Sequence, residues 1–442
     1  MGTKDGRMGR FLGNTDKFSE KQVGETLDML VDHGVVRGAS DIHIEPFERF
    51  VLVRYRIDGT LRGVHKLPRV ALGMIMTVLK KRAGLRPEDT QSPQEGEFAA
   101  TTDGKEVTVR LSTMPVFGGE KAVLHLSMKL GKPQELTALG FWGQNLATLE
   151  SILARPQGLV AVAGPRHSGI ASTLFSMVHQ LNSPLVSIAT VELHAKHRLP
   201  GVSQSYLHAN MSMAEGLRAA LRQDPNIVML GDMPDSDTAL LAVHAASTGH
   251  LVLGGMHADG AVAAALRIRA AGAEPFLLAT GLRACVGQRL VRKLCPDCRE
   301  RYAVTAEEHK QLVERFGMAA PSARRTVHEL ERSLAPAIFG DVKQLNSTPN
   351  HITHLWRPSS EGCEHCGHTG YQGRVGIVEV LNNSDGLQKV LLAKEVLSVS
   401  AVHALVLKEG FIPLALDGLV KALRGQTTVA EVLHAVNASP LA

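Results

Sequence analysis

No apolar run in this sequence of 442 residues approaches the roughly 18 that a membrane-spanning helix requires. The opening, MGTKDGRMGRF, has no apolar stretch behind its charges, so no secretory signal is read there. The chain is expected in the cytoplasm. Charge of one sign is also missing: 48 Lys and Arg stand against 43 Asp and Glu, for a net +5. That balance permits contact with acidic lipid or protein surfaces but leaves no footprint for a nucleic acid. Cysteine is scarce, with five residues, and in a reducing compartment CxxC pairs bind metal more often than they form disulfides. Twenty histidines include no HExxH or comparable metal pair, so most are expected on the surface or in the core. There is no internal repeat and no low-complexity tract. The 44% apolar and 21% charged residues are ordinary for a soluble globular protein long enough for two or three domains.

Along the chain, residues 1–20 read as a loose polar tail. An α+β domain follows over 21–130. It has a helix over Val23–Val36, a hairpin turning at Asp58-Gly59, a helix over Ala71–Ala83, and further strands around Asp103-Gly104 and in EKAVLHLSM. Residues 131–140 read as a linker. Over 141–294, the short apolar strands GLVAVAG, LVSIATVE, NIVMLGD and GHLVLGGMH alternate with helical stretches, the pattern of a doubly wound parallel sheet. Residues 295–373 are bracketed by CPDC and CEHC, with helical EEHKQLVERFG and a loop rich in Ser, Pro and Asn between them. Residues 374–442 read as helical. The basic stretch LKKRAGLRP at 79–87 is expected to be a solvated helix face, with acidic lipid or a membrane partner as the alternative.

Cys295, Cys298, Cys363 and Cys366 form two CxxC knuckles, four thiolates suited to tetrahedral Zn²⁺ with no open position left for a substrate. A redox pair is the competing reading. His365 or His368 is a candidate substitute ligand, and Cys285 is expected to be a buried core thiol. A second motif is GPRHSGIAST at 164–173. Gly164 and Gly169 have the spacing of a phosphate-cradling loop, and a strand precedes it and a helix follows. Where such a loop continues Lys-Ser/Thr, this chain has Ile170 and Ala171.

The collinear segments GASDIHIEP, RYRIDGTL, RLSTMPVFGGEKAVL, LRQDPNIVMLGD, STGHLVLGGMHADGA, GQRLVRKLCPDC and CGHTGYQGRVGIVEVL resemble the secretion and pilus ATPase superfamily, the type II secretion ATPases and type IV pilus motors. The resemblance runs from about Gly38 to the C-terminus. It implies a RecA-like doubly wound domain preceded by the small α+β domain, with a zinc-binding insert and C-terminal helices. It also implies a hexameric ring, of one kind of subunit or mixed with an active paralogue, peripheral at the inner membrane on a platform protein. The family's separate N-terminal docking domain is expected to be absent.

The same resemblance places the phosphate-contacting lysine at Ile170 and the Mg²⁺-holding hydroxyl at Ala171, and neither side chain can act. Amides from Pro165 to Ala171, apart from the proline nitrogen, remain as an anion-binding nest. Ser172 lies one residue along, turned by about 100° from the position Mg²⁺ needs. Arg166 and His167, beside Ser168, are the loop's own candidates for replacement charge. In the acidic box only Glu192 survives, before Leu193, His194, Ala195 and Lys196. In the Walker B segment, Gly231-Asp232-Met233-Pro234-Asp235 keeps a carboxylate at Asp232 on a shorter arm. His257 matches a histidine near the γ-phosphate. Arg110 matches an arginine that reaches nucleotide in the ring, and the second such position is His125. Two readings follow. One is a structural or regulatory subunit with weak or no binding of ATP and Mg²⁺, in which Glu192 and Asp232 are residual catalytic candidates. The other is a motor ATPase completed by Arg166, His167 or a neighbouring subunit.

Overall fold

The computed structural model describes residues 19–102, 105–128, 132–193, 198–207, 211–333, 344–395 and 397–437. It separates into two compact units, residues 1–131 and 132–442. Among the described residues, no helix is long and apolar enough to cross a membrane.

In the first unit, α1 (Glu20–Val36) begins at Ser19, whose hydroxyl accepts from the Gln22 amide while the Gln22 side chain accepts from the Ser19 amide. Then come β1 (Ala39–Pro46), β2 (Phe50–Ile57), β3 (Thr60–Pro68), α2 (Leu72–Arg82), β4 (Gln94–Thr102), β5 (Lys105–Val116) and β6 (Gly119–Met128). The six strands form an antiparallel sheet in the order β3-β2-β1-β6-β5-β4. Asp58 and Gly59, with φ of 48° and 83°, make the tight β2–β3 turn. Alternation sends Ile42, Ile44, Val53, Val109 and Leu124 into a core shared with Leu27, Leu30 and Leu79 of the helices. The basic stretch at 79–87 is the solvated face expected of it only in part, at exposed Lys81 and Arg86. Lys80 is fully buried against Glu120 at 2.5 Å, while Lys81 and Arg82 pair with Glu20 and Asp28 on α1.

The second unit opens with α3 (Gly143–Leu153), β7 (Gly158–Ala163), α4 (Ile170–Leu181), β8 (Ile188–Glu192), β9 (Ser203–Tyr206), α5 (Met213–Leu221) and β10 (Ile227–Leu230). It continues with α6 (Ser236–Ser247), β11 (Leu251–Met256), α7 (Ala261–Ala270), α8 (Pro275–Gly281) and β12 (Leu282–Leu294). The sheet runs β15-β12-β7-β11-β10-β8-β9, parallel except that β15 (Tyr371–Asn382) lies antiparallel on β12. Every residue of β7 is buried: Leu159, Ala161 and Ala163 enter the helical layer on one side of the sheet, and Val160 and Val162 that on the other. This is the RecA-like α/β architecture.

Between β12 and β15 the chain forms β13 (Glu300–Ala303), α9 (Ala306–Arg315), α10 (Pro321–Ser333) and β14 (His354–Arg357). After β15 come α11 (Asp385–Leu392), α12 (Val399–Lys408), α13 (Leu414–Leu423) and α14 (Val429–Asn437). The helical C-terminal region therefore starts at Asp385 and not at 374, because Val375 to Leu381 complete the sheet and are buried in it. The stretch expected to be a linker also docks: the Leu139 carbonyl accepts from the Gly376 amide at 3.0 Å. Buried Lys421 of α13 donates to the carbonyls of Gly140 and Gly376 and to Asp417, joining this turn to β15.

Candidate functional site

The parallel strands deliver their C-terminal ends to one crevice, the usual position of a ligand in an open α/β sheet. Leaving β7, Gly164 has no space for a Cβ, which would stand 2.3 Å from the Ser168 Oγ and 2.6 Å from the Gln288 carbonyl. His167 and Gly169 both take positive φ, 65° and 92°, and turn the chain into α4. Gln288 of β12 braces this loop from below. Its Nε2 donates to the Ser168 carbonyl at 2.9 Å and its Oε1 accepts from the Thr173 hydroxyl at 2.6 Å. The loop is thus shaped as an anion nest, with the first-turn amides of α4 lacking helical partners. Ser168 is buried, and its Oγ has no hydrogen-bond partner among the described residues.

The side chains around that nest are of a different character. Pro165, Arg166, His167 and Ser172 are exposed. Ile170 and Ala171 turn into the apolar layer beneath α4, and Ile170 lies over the end of β11, where a Cβ on Gly255 would meet its Cγ2 at 3.0 Å. The first position of α4 is thus packed with hydrocarbon.

His257, just beyond β11, has its Nδ1 3.3 Å from the Gly164 carbonyl, and the Arg267 guanidinium donates to the His257 carbonyl. Asp232, following β10, is half-buried. Burial pushes its carboxyl above the usual range, while His257, Arg267 and Arg166 pull against that shift. Glu192 ends β8 almost fully buried, accepting from the Thr190 hydroxyl at 2.6 Å and the Gln204 amide at 3.3 Å. A Cβ on Gly231 would lie 3.7 Å from the Glu192 Cα, so the candidate carboxylates of Glu192 and Asp232 come from adjacent strand ends. Leu193 is exposed, and His194, Ala195 and Lys196 lie outside the described residues. Asp235 serves as the N-cap of α6, accepting from the Thr238 amide and hydroxyl at 2.8 and 2.7 Å.

Sequence reasoning passed over three residues that shape this crevice: Gln288, Arg267 and Glu379. The buried Glu379 carboxylate accepts from the amides of Ala261 and Leu414, at the starts of α7 and α13. It also fills the space a Cβ would need at Gly260 and Gly287. The signal available was a lone acid in the apolar run VGIVEVL.

Arg110 belongs to the first unit. On β5 it faces His125 of β6 and Glu97 of β4, and His125 in turn faces Asp41, whose Oδ1 lies 2.6 Å from its Nδ1.

A second centre lies where β12 ends and β15 begins. Leu294 pairs with Tyr371, so the knuckles at 295–298 and 363–366 meet although they are far apart in sequence. The Cys295–Cys363, Cys298–Cys366 and Cys363–Cys366 sulfur separations are 3.7, 3.8 and 3.7 Å. Four thiolates at about 2.3 Å from a tetrahedral ion stand about 3.8 Å apart. The cluster can therefore hold a metal ion. Burial raises the Cys366 thiol, but bonds from the Cys363 and Gly370 amides overcome this and bring it to about 6. His365 is engaged by Asp297 and by Gln372 at 3.0 Å, tying the two knuckles together. The His368 Nδ1 lies 3.1 Å from the Glu361 carbonyl. Cys285 is fully buried in β12, as expected of a core thiol.

Residues 16–434 match the family model described as type II/IV secretion system protein. The chain is 36% identical over 410 residues to the type II secretion system protein E of Dickeya dadantii, covering 92% of this chain and 74% of that protein. It is 33% identical over 419 residues to the type IV pilus assembly ATPase PilB of Thermus thermophilus, covering 94% of this chain and 43% of that one. In fold it is similar to the Legionella pneumophila ATPase DotB, with a TM-score of 0.65 at 16% identity over 96% of this chain and 98% of the other.

Proposed function

The chain belongs to the type II/IV secretion system protein family, and from that premise we propose that it is a non-hydrolysing subunit with a structural or regulatory role in a secretion or pilus machine. The observation that carries this reading is Ile170, apolar and packed over Gly255 where the phosphate-contacting lysine belongs. Phosphoryl transfer depends almost wholly on positioned charge. Each lost charge-assisted contact removes roughly 1.5–3 kcal/mol. The missing lysine, the missing hydroxyl at Ala171 and the exposed apolar Leu193 together leave ATP weakly held and Mg²⁺ without its side-chain oxygen.

On this reading the nest of Gly164 to Ser172 senses anions at most. The chain takes its place in a ring, alone or with an active paralogue, against an inner-membrane platform. The four cysteines hold a structural Zn²⁺ that fastens the 295–373 region to the sheet.

The motor reading keeps one observation in its favour: Asp232 faces the charges of His257, Arg267 and Arg166. Turnover separates the two. Phosphate release from Mg²⁺-ATP by the wild-type chain should equal that of Asp232→Asn. A tenfold or greater fall on that substitution would favour the motor, with Asp232 as a catalytic residue.

A further inference from the structure

His33 of α1 and His65 of β3 converge in the first unit, outside the phosphate-type loop and the cysteine knuckles. The His65 Nε2 lies 3.4 Å from the His33 Nδ1, with ring centroids 5.4 Å apart. With the facing proton on one ring the contact is a long hydrogen bond, at the weak end of the range. Two imidazole nitrogens at about 2.05 Å from one tetrahedral ion stand roughly 3.3–3.4 Å apart.

The sheet is deformed to create this meeting. Between the pairs Val53–His65 and Arg54–Gly63, β3 carries one extra residue, Val64. In regular register Val64 would oppose Val53, and His65 would fall on the opposite face of the sheet. The bulge turns His65 to the helix-facing side, as bulges re-aim a side chain where one is needed. It does so on β3, one of the two edge strands of the sheet.

Tyr55 supplies a rigid floor. Its buried ring lies 5.6 Å from the His33 centroid and 6.4 Å from that of His65, edge-on to both. Its hydroxyl is committed to the Leu30 carbonyl at 2.8 Å, so it orients the rings without serving as a ligand.

We infer that His33 and His65 form a binding site for a divalent transition ion, clamping the edge strand β3 to α1. Imidazole suits Zn²⁺ and its neighbours in the series, and both rings must be neutral, with protons on the His33 Nε2 and the His65 Nδ1. The remaining coordination positions lie on the half-exposed side of the pair. The ion stabilises the packing of the first unit and takes no part in phosphate chemistry.

The test is a titration of Zn²⁺ into the full chain already loaded at its cysteines, followed by calorimetry and by the thermal midpoint. One further equivalent should bind and raise the midpoint. His33→Gln and His65→Gln should each weaken that step at least tenfold and abolish the shift, while Cys363→Ser should leave it in place. Equal binding by wild type and both glutamine variants would overturn the inference, as would a loaded chain that takes up no further ion. Circular dichroism of the two variants without added Zn²⁺ distinguishes loss of a ligand from loss of fold.

Discussion

The Thr173 hydroxyl donates to the Gln288 side chain at 2.6 Å, binding the first turn of α4 to β12 from inside the crevice. Gln288 also holds the Ser168 carbonyl, so one buried amide maintains the shape of the phosphate-type loop. That support holds a loop whose following residues, Ile170 and Ala171, are apolar. Gln288→Leu strands a buried hydroxyl and a buried carbonyl, each costing about 1–3 kcal/mol. Urea unfolding should show a loss of a few kcal/mol, and amide exchange should quicken over 164–173. Unchanged exchange there would separate the loop's shape from Gln288.

Returning charge to the loop tests whether the surroundings remain a site. Ile170→Lys with Ala171→Thr restores a charge-assisted contact of roughly 1.5–3 kcal/mol, which corresponds to a gain of tenfold or more in ATP affinity. Turnover should stay at background, because Leu193 offers no carboxylate and Asp232 stands on a shorter arm. A displacement of about 1 Å can cost around 10²-fold in rate. Binding and phosphate-release assays on the double variant check both halves of the prediction.

Asp235 is a helix cap, and its removal should affect folding without touching nucleotide. Asp235→Ala should cost about 1 kcal/mol at pH 7. The Thr238 amide and hydroxyl hold the Asp235 carboxyl below its ordinary value of 3.8. A depressed folded-state value gives a contribution complete above about that pH and lost as pH falls through the folded value. The gap between wild type and variant should therefore close in strong acid, and Asp235→Asn should remain capped throughout. Stability curves measured from pH 7 downward settle this.

Metal analysis of the purified chain should return about one zinc for its four cysteines, in keeping with a closed tetrahedral site. Cys363→Ser should lose that ion and lower the thermal midpoint, since the knuckles close the β12–β15 pair. Stable, metal-free wild-type protein would remove the zinc assignment.

Much of this fold was legible from local pattern. The helix at Glu20–Val36, the Asp58-Gly59 hairpin and the apolar strands β7, β8, β10 and β11 carry their periodicity or turn residues within a few positions. The phosphate-type loop was legible for the same reason. β12 and β15 were not. They are antiparallel neighbours joined across the whole of 295–370, and an apolar run buried on both faces has no alternation to separate it from helix. The amphipathic helix at Pro321–Ser333 was hidden in a stretch read as loop. Gln288 and Glu379 escaped because their importance lies in the backbone groups they satisfy on distant elements, and no local spacing reveals those partners. The His33–His65 meeting depends on one extra residue in β3, which alternation alone does not locate.

The most direct measurement is calorimetric binding of ATP to the purified chain, with and without Mg²⁺. With Ile170 in the cradle, binding should be undetectable or weak, and Mg²⁺ should make no difference to it. Micromolar binding that requires Mg²⁺ would contradict the account, because it would mean that other groups hold the metal and the phosphates where Ile170 and Ala171 cannot.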